Sequence, residues 1–424
     1  MTAAETHQAI DAIFRIEQAR LIAGLARMVR DVGLAEELAQ DALVAALESW
    51  PKTGVPEKPG AWLMAIAKRR AIDRIRRARM QERKHAEIGR DLEEEQDATP
   101  DFDAALDDEI GDDLLSLIFT ACHPVLSTEA RVALTLRLVG GLTTEEIARA
   151  FLAPEPTIAQ RIVRAKRTLA ERRIPFEVPR GEALSDRLAS VLEVVYLVFN
   201  EGYAATGGEE WMRPQLSEEA LRLGRILAAL APNEPEVLGL VALMEIQASR
   251  FKARIDAKGE PILLLDQNRA LWDHLLIRRG LAALGRAEAV AEAQTIALGP
   301  YALQAAIAAC HARATTAEAT DWRRIVALYE ELGEVSPSPI VELNRAVAVS
   351  MASGPAAGLS IVDSLVGEPA LKGYHLLPSV RGDFLKKLGR LDEARAEFKR
   401  AASLTKNARE RTLLLARAAE CSDS

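Results

Sequence analysis

Apolar residues recur three and four positions apart along nearly the whole chain, and alternating runs rich in Val, Ile and Thr are missing. Of all the sequence features, this periodicity most restricts the fold. An α-helix turns every 3.6 residues, so such spacing gathers the apolar side chains into one stripe, which other helices can cover. The expectation is an all-α protein. Two stretches break the pattern. Glu87 to Asp113 is dense in Asp and Glu, carries Pro100 in its middle and has few apolar residues, the composition of a linker. Ile174-Pro175-Phe176-Glu177-Val178-Pro179-Arg180-Gly181 sets two prolines and a glycine between helical patterns. For 424 residues, two or three folding units are expected. The breaks place them at 1–86, an acidic linker at 87–113, 114–175, and a long block at 182–424.

The formal charge of -8 argues against a surface that binds nucleic acid everywhere, but it is an average that conceals strongly basic segments. Cys122, Cys310 and Cys421 lie far apart with no paired spacing. That fits a reducing compartment and supplies neither a disulfide framework nor a zinc site. No stretch approaches the roughly 20 uninterrupted apolar residues of a membrane span, and the N-terminus lacks the order of a signal peptide, so no membrane partner and a cytoplasmic location are expected. The six histidines are scattered. No metal constellation, cofactor motif or catalytic set stands out, and an enzyme is not expected.

Ala61 to Lys84 has the pattern of one helix, with Arg69, Arg70, Asp73, Arg76 and Arg77 on one face and Met64, Ala71, Ile75 and Ala78 opposite. Arg74 adds to the charge of its second half, and Trp62 falls on the basic arc one or two turns earlier. An indole beside cations suits the stacking of bases in single-stranded or partly melted DNA. A solvated basic face with a core tryptophan fits these residues equally well. The preceding segment, Leu34 to Trp50, has an apolar stripe of Leu34, Leu38, Ala42, Ala46 and Trp50, while Glu37, Gln40, Asp41, Val44 and Glu48 line another face suited to docking a partner helix. The loop Pro51 to Gly60 joins the two and is a candidate pocket for an extruded base.

Thr143-Thr144-Glu145-Glu146 has the form of a Thr-x-x-Glu capping box, which predicts a helix ending at Phe151. Leu152 to Pro154 are a short turn, and a second helix begins at Glu155 with Pro156 near its first position. There Ile158, Ile162, Ala165 and Leu169 share one face, and Thr157, Gln160, Arg161 and Arg164 share another. That polar set suits a recognition helix, since Arg pairs bidentately with guanine and Gln with adenine in the major groove. Lys166, Arg167, Arg172 and Arg173 are placed to hold phosphates, which set register without reading sequence. A plain helical hairpin with a solvated face is the alternative.

In this order the motifs resemble the extracytoplasmic-function sigma factors. Asp31 to Asp41 is similar to the family's segment for docking on core RNA polymerase. Ala61-Trp62-Leu63 through Ala71-Ile72-Asp73-Arg74-Ile75-Arg76-Arg77 is similar to its element for melting promoter DNA, and Leu142 to Leu169 to its helix-turn-helix for the upstream element. Arg69 departs from the pattern, standing where the family often has asparagine. The resemblance implies core polymerase and promoter DNA as partners, with Glu37, Gln40, Asp41, Val44 and Glu48 on the polymerase. It puts Trp62, Arg69, Arg70, Arg74, Arg76 and Arg77 on the melted strand, and Thr157, Gln160, Arg161, Arg164, Lys166 and Arg167 on the upstream duplex. The acidic linker then suits a path lined with positive charge, though it suits a soluble tether as well.

Leu388-Gly389-Arg390-Leu391 through Phe398 resembles a tetratricopeptide hairpin, with glycine at its turn. Leu284-Gly285-Arg286-Ala287-Glu288-Ala289 looks like a weaker copy, and Val341 to Leu365 like a degenerate one. The segments Val198 to Gly208 and Leu265 to Asp273 resemble signatures of the sigma-factor group that carries such an extension. Asn200, Glu201, Asp266, Asn268 and Arg269 are expected in a structural hydrogen-bond network or lining a site. The resemblance implies a regulatory extension with a possible protein or peptide partner. The rival functions are a helix-turn-helix regulator that is not a polymerase subunit and a repeat-type interaction scaffold.

Overall fold

The computed structural model describes residues 3–86, 110–151, 153–180, 182–205, 207–208, 211–257 and 259–421. Most of the acidic linker, residues 87–109, lies outside them. The chain divides into two compact units, Met1–Val194 and Val195–Ser424. The boundary lies further along the chain than the proline-rich break that suggested one.

In the first unit α1 (Ala3–Val29), α2 (Val32–Thr53) and α3 (Pro59–Ala86) pack on one another around Ile22, Leu25, Leu38, Trp50 and Leu63. The Asp31 carboxylate caps α2 by accepting from the backbone N–H of Leu34 at 2.9 Å. The helix runs past Trp50 to include Pro51, so the expected loop is shorter than Pro51 to Gly60. Pro51 stands in the last turn and supplies no N–H to the Leu47 carbonyl. Four shorter helices follow: α4 (Ile110–Ala121), α5 (Thr128–Leu138), α6 (Thr144–Ala150) and α7 (Glu155–Glu171). Their core is Leu117, Phe119, Leu134, Leu136, Ile147, Ile158 and Ile162. The α1 helix packs against α4 and α5, and α2 against α7, so the basic helix and the helix-turn-helix belong to one body.

The helix α8 (Glu182–Tyr203) passes from the first unit to the second. Its Ser190 donates to the Cys122 carbonyl at 2.6 Å, and its Arg187 donates to the Phe119 carbonyl at 2.7 Å.

The second unit continues through α9 (Pro214–Leu230), α10 (Pro235–Ala248), α11 (His274–Gln294), α12 (Pro300–Arg313), α13 (Trp322–Val335), α14 (Pro339–Ser353), α15 (Pro355–Leu365), α16 (Leu376–Lys387), α17 (Leu391–Leu404) and α18 (Ala408–Glu420). Most pack mainly on their neighbours in sequence, and α12 also packs closely on α10, the arrangement of a helical-repeat array. Pro214, Pro235, Pro300, Pro339 and Pro355 all open helices, where a missing N–H leaves no bond unmade. Gly389 makes the predicted turn between α16 and α17 with φ +75°, a conformation that a side chain would strain. Val341 to Leu365 falls on the α14–α15 hairpin.

Leu284 to Ala289 is different. It lies inside α11, with no turn at Gly285, because that helix is capped only at its ends, by the Asp273 carboxylate and by Thr295 in the left-handed conformation. A two-residue parallel pair, Gly207–Gly208 (β1) with Lys406–Asn407 (β2), joins the start of this unit to its last hairpin. The Asn407 amide donates to the Ala205 carbonyl at 3.1 Å while its oxygen caps α18.

Two helices of the array approach closely at Gly239, where an added Cβ would lie 2.6 Å from both Cα and N of Ala302. Neither backbone atom can swing aside. Gly239→Ala is expected to destabilise the second unit by about 1–3 kcal/mol, read as a lower urea midpoint for the full chain.

Candidate nucleic-acid interface

The helix-turn-helix starts from a local cap. The Thr143 hydroxyl accepts from the backbone N–H of Glu146 at 3.1 Å, and the Glu146 carboxylate accepts from that of Thr143 at 2.8 Å. This reciprocal pair satisfies amides that the first turn of α6 leaves unpaired. Ile158, Ile162, Ala165 and Leu169 of α7 are buried, which fixes the rotation of that helix. Thr157, Gln160, Arg161 and Arg164 then line one open groove of about 440 Å³, with Val125, Ser127 and Glu129 on its other wall. The Glu129 carboxyl is held below its usual range, mostly by its own backbone N–H and the Ser127 hydroxyl and less by Arg161. Arg161 is therefore not locked to Glu129, and the groove presents two guanidinium groups and an amide to an incoming base edge.

Two residues expected on phosphates lie elsewhere. Arg167 is exposed and pairs with Glu171 one turn along α7, at 2.6 Å. Lys166 does not line the groove, because its ammonium meets the Glu36 carboxylate of α2. Glu36 is 5% exposed and also accepts from Arg137 of α5 at 2.7 Å. Arg137 donates in turn to the Leu142 carbonyl, and its own carbonyl accepts from Gln18 of α1. One buried carboxylate thus links α2, α5 and α7. Sequence patterning gave no signal for it, since its partners are far away in the chain and Glu37 beside it is exposed.

On α3, Arg69, Arg74, Arg76 and Arg77 are exposed, Arg70 is half-buried, and Met64 and Ala71 turn inward. Trp62 is half-buried and meets Trp50 edge to face, with ring centroids 5.3 Å apart. The carboxylates of α2 face this basic helix. Arg74 pairs with Glu37 at 3.2 Å, and Arg70 with Asp41 at 3.5 Å as well as with the Asp41 carbonyl at 2.8 Å. The Arg74–Glu37 pair is more than half exposed on both sides, so it is worth under about 1 kcal/mol and yields readily to a phosphate. Gln40 is half-buried, whereas Val44 and Glu48 are exposed on the same side of α2 as Glu37.

Among the described residues no group of three or more His, Cys, Asp or Glu is placed to hold a metal, and no helix is long and apolar enough to cross a membrane. Burial pushes the Cys122 thiol up to about 11, which keeps it protonated and unreactive.

Comparison with known proteins places these parts. A family model for sigma-70 region 2 matches residues 13–80, one for sigma-70 region 4 matches 116–169, and a family of unknown function matches 187–288. An uncharacterized protein of Rhizobium meliloti is 45% identical over 391 residues, covering 91% of this chain and 89% of that protein. ECF RNA polymerase sigma factor SigK of Mycobacterium bovis is 30% identical over 147 residues, 34% of this chain and 74% of its own length. Probable ECF RNA polymerase sigma factor SigI of Mycobacterium tuberculosis is 27% identical over 175 residues, 41% of this chain and 58% of its own length. No solved structure matches the chain.

Removing the Glu36 carboxylate would leave two cations uncompensated in a largely buried position. Glu36→Ala is expected to destabilise the first unit by about 3 kcal/mol, while Glu37→Ala, one residue on and exposed, changes stability by less than about 0.5 kcal/mol. Thermal unfolding of the two variants against wild type checks the contrast.

Proposed function

Because the chain belongs to the extracytoplasmic-function family of RNA polymerase sigma factors, we propose specific faces of its first unit for each step of initiation and a modulatory role for its second. The protein binds core RNA polymerase and directs promoter-specific transcription initiation. A helix-turn-helix regulator outside the polymerase would have no use for a region 2.

The exposed side of α2, with Glu37, Gln40, Asp41, Val44 and Glu48, docks on core polymerase. The face of α3 with Trp62, Arg69, Arg70, Arg74, Arg76 and Arg77 takes the opened strand. Exchange of Glu37 and Asp41 for phosphates frees Arg74 and Arg70 to do so. Thr157, Gln160, Arg161 and Arg164 read the upstream duplex, and Arg167 holds a phosphate beside them. Lys166 joins them only when Glu36 releases it. The observation that carries the assignment is the convergence of Thr157, Gln160, Arg161 and Arg164 on one open groove of α7.

In the second unit, an array of neighbouring helices suits a protein or peptide partner, and through it the extension tunes the access of the first unit to polymerase and promoter. The working divisions are 1–86 for polymerase docking and melting, 87–113 for the linker, 114–175 for the helix-turn-helix and 182–424 for the extension. The protein works in the cytoplasm and catalyses no reaction of its own.

Run-off transcription with purified core polymerase on a genomic fragment library tests these assignments. Full-length protein is expected to give discrete start sites. Arg161→Ala and Arg164→Ala each reduce specific transcripts by about 5- to 150-fold, as loss of a bidentate base contact worth about 1–3 kcal/mol requires, and core binding stays intact. A chain ending at Val194, which keeps the Ser190 and Arg187 contacts, reports the sign of regulation by its output relative to full length. Equal output from both forms would remove the modulatory role.

A further inference from the structure

Between α10 and α11 the chain runs from Ser249 to Asp273 with only short 3-10 turns. This is well beyond the ~12–15 residues at which a loop in a compact domain is usually functional. It carries three guanidinium groups interleaved with aromatic rings. Arg254 lies 3.5 Å from the centre of the Tyr203 ring and 5.8 Å from that of Trp211. Arg250 lies 5.7 Å from the same tyrosine and 6.0 Å from Trp272, and Arg269 covers Trp272 at 4.6 Å. Cation and ring therefore alternate through Arg254, Tyr203, Arg250, Trp272 and Arg269.

A ring attracts a cation by ~0.5–2 kcal/mol but does not neutralise it. Among the described residues, no carboxylate forms an ion pair with Arg250, Arg254 or Arg269. Burial pushes Arg254 and Arg269 below their ordinary values and the neighbouring Arg250 adds to this, while Tyr203 offsets it in part at Arg254 and Glu318 at Arg269. Arg269 has a structural task, donating to the His311 and Ala314 carbonyls at the end of α12. Arg254 has one such bond, to the Tyr203 carbonyl at the end of α8, and Arg250 has none. Among the described residues the Arg250 guanidinium makes one hydrogen bond, to the Tyr203 hydroxyl at 2.7 Å, and its Nε–H is buried without an acceptor. Arg254 is 8% exposed and bonds only the Tyr203 carbonyl and the Met212 sulfur. His311, 8% exposed, is also buried, near Arg250 and Arg269, with its Nδ1 unpartnered among the described residues.

We propose that Arg250 and Arg254, walled by Tyr203, Trp211 and Trp272, form a binding site for a small oxyanion-bearing ligand, a phosphate or a carboxylate. Arg254 is buried and Arg250 half-buried, neither with an acid partner among the described residues, and an oxyanion supplies a counter-charge together with acceptors for the unused guanidinium donors. The planar fork of arginine matches such an anion better than a lysine ammonium would. The site lies wholly within the second unit, and it gives the extension a chemical input of its own.

The test is titration of the full-length protein with inorganic phosphate and, in a parallel series, with succinate, at ionic strength held constant with chloride. Binding is followed by calorimetry and by thermal unfolding. At least one anion is expected to raise the melting temperature with concentration, as a ligand of the folded state must. A response to phosphate alone assigns a phosphate ligand, and one to succinate alone a carboxylate. Arg250→Gln and Arg254→Met are each expected to weaken binding about tenfold or more, as loss of a charge-assisted pair implies. Should a neutral substitution unfold the chain, Arg250→Lys keeps the charge and loses the fork, and it is expected to bind weakly with a wild-type circular dichroism spectrum. No response to either anion, or a response that survives substitution at Arg250 and Arg254, overturns the proposal.

Discussion

The first unit turns on one carboxylate. Glu36 is nearly inaccessible to water and holds two cations, Arg137 and Lys166, that arrive from helices far along the chain. Ionised in such a place, a carboxylate is tolerable only because its charge is matched and its oxygens are engaged. The same contact therefore fixes where α5 and α7 stand relative to α2. Arg137 extends it by reaching the Leu142 carbonyl just before α6, and Gln18 of α1 binds the Arg137 carbonyl. The regions proposed to read duplex DNA and to dock on polymerase are in this way tied through side chains of which only Lys166 is assigned to either task.

Burial separates the ionic contacts of this unit into two kinds. The Glu36 pairs are shielded from water and resist exchange, whereas the Arg74–Glu37 and Arg70–Asp41 pairs lie at the surface, where screening and side-chain entropy leave little net energy. The proposed strand-binding arginines are thus held in readiness by weak partners, and Lys166 is held by a strong one. Residues of the same charge on neighbouring helices consequently differ in how easily a phosphate can claim them.

The second unit obeys a different economy of contacts. Its helices bury their stripes on sequence neighbours, so most of its polar groups close locally, as the Glu201–Arg213 pair and the Asn268 cap of the Arg269–Leu271 turn do. Glu245, nearly inaccessible, is likewise met by Arg225 and Arg279. Against that background the guanidinium groups of Arg250 and Arg254 stand out, because Arg254 is buried and Arg250 half-buried beside rings, and neither carries an acid partner among the described residues.

What the sequence determined by itself was everything that depends on neighbours within a few residues. The period of the apolar stripes set the all-α class. Thr143 and Glu146 set the start of α6, and the Ile158, Ile162, Ala165 and Leu169 stripe set which side of α7 faces outward, because caps and helical phase are local properties of the backbone. Gly389 marked its turn for the same reason. Gly285 misled, since a short Leu-Gly-Arg motif does not reveal whether the residues around it will continue a helix. Only the tertiary structure decided that Lys166 turns to Glu36 rather than to the groove, that Arg70 and Arg74 face Asp41 and Glu37, and that Arg250 and Arg254 meet Tyr203. Each of these joins side chains from separate helices or from a helix and a distant loop, and the helical period carries phase along one element but no information about which other element will pack against it.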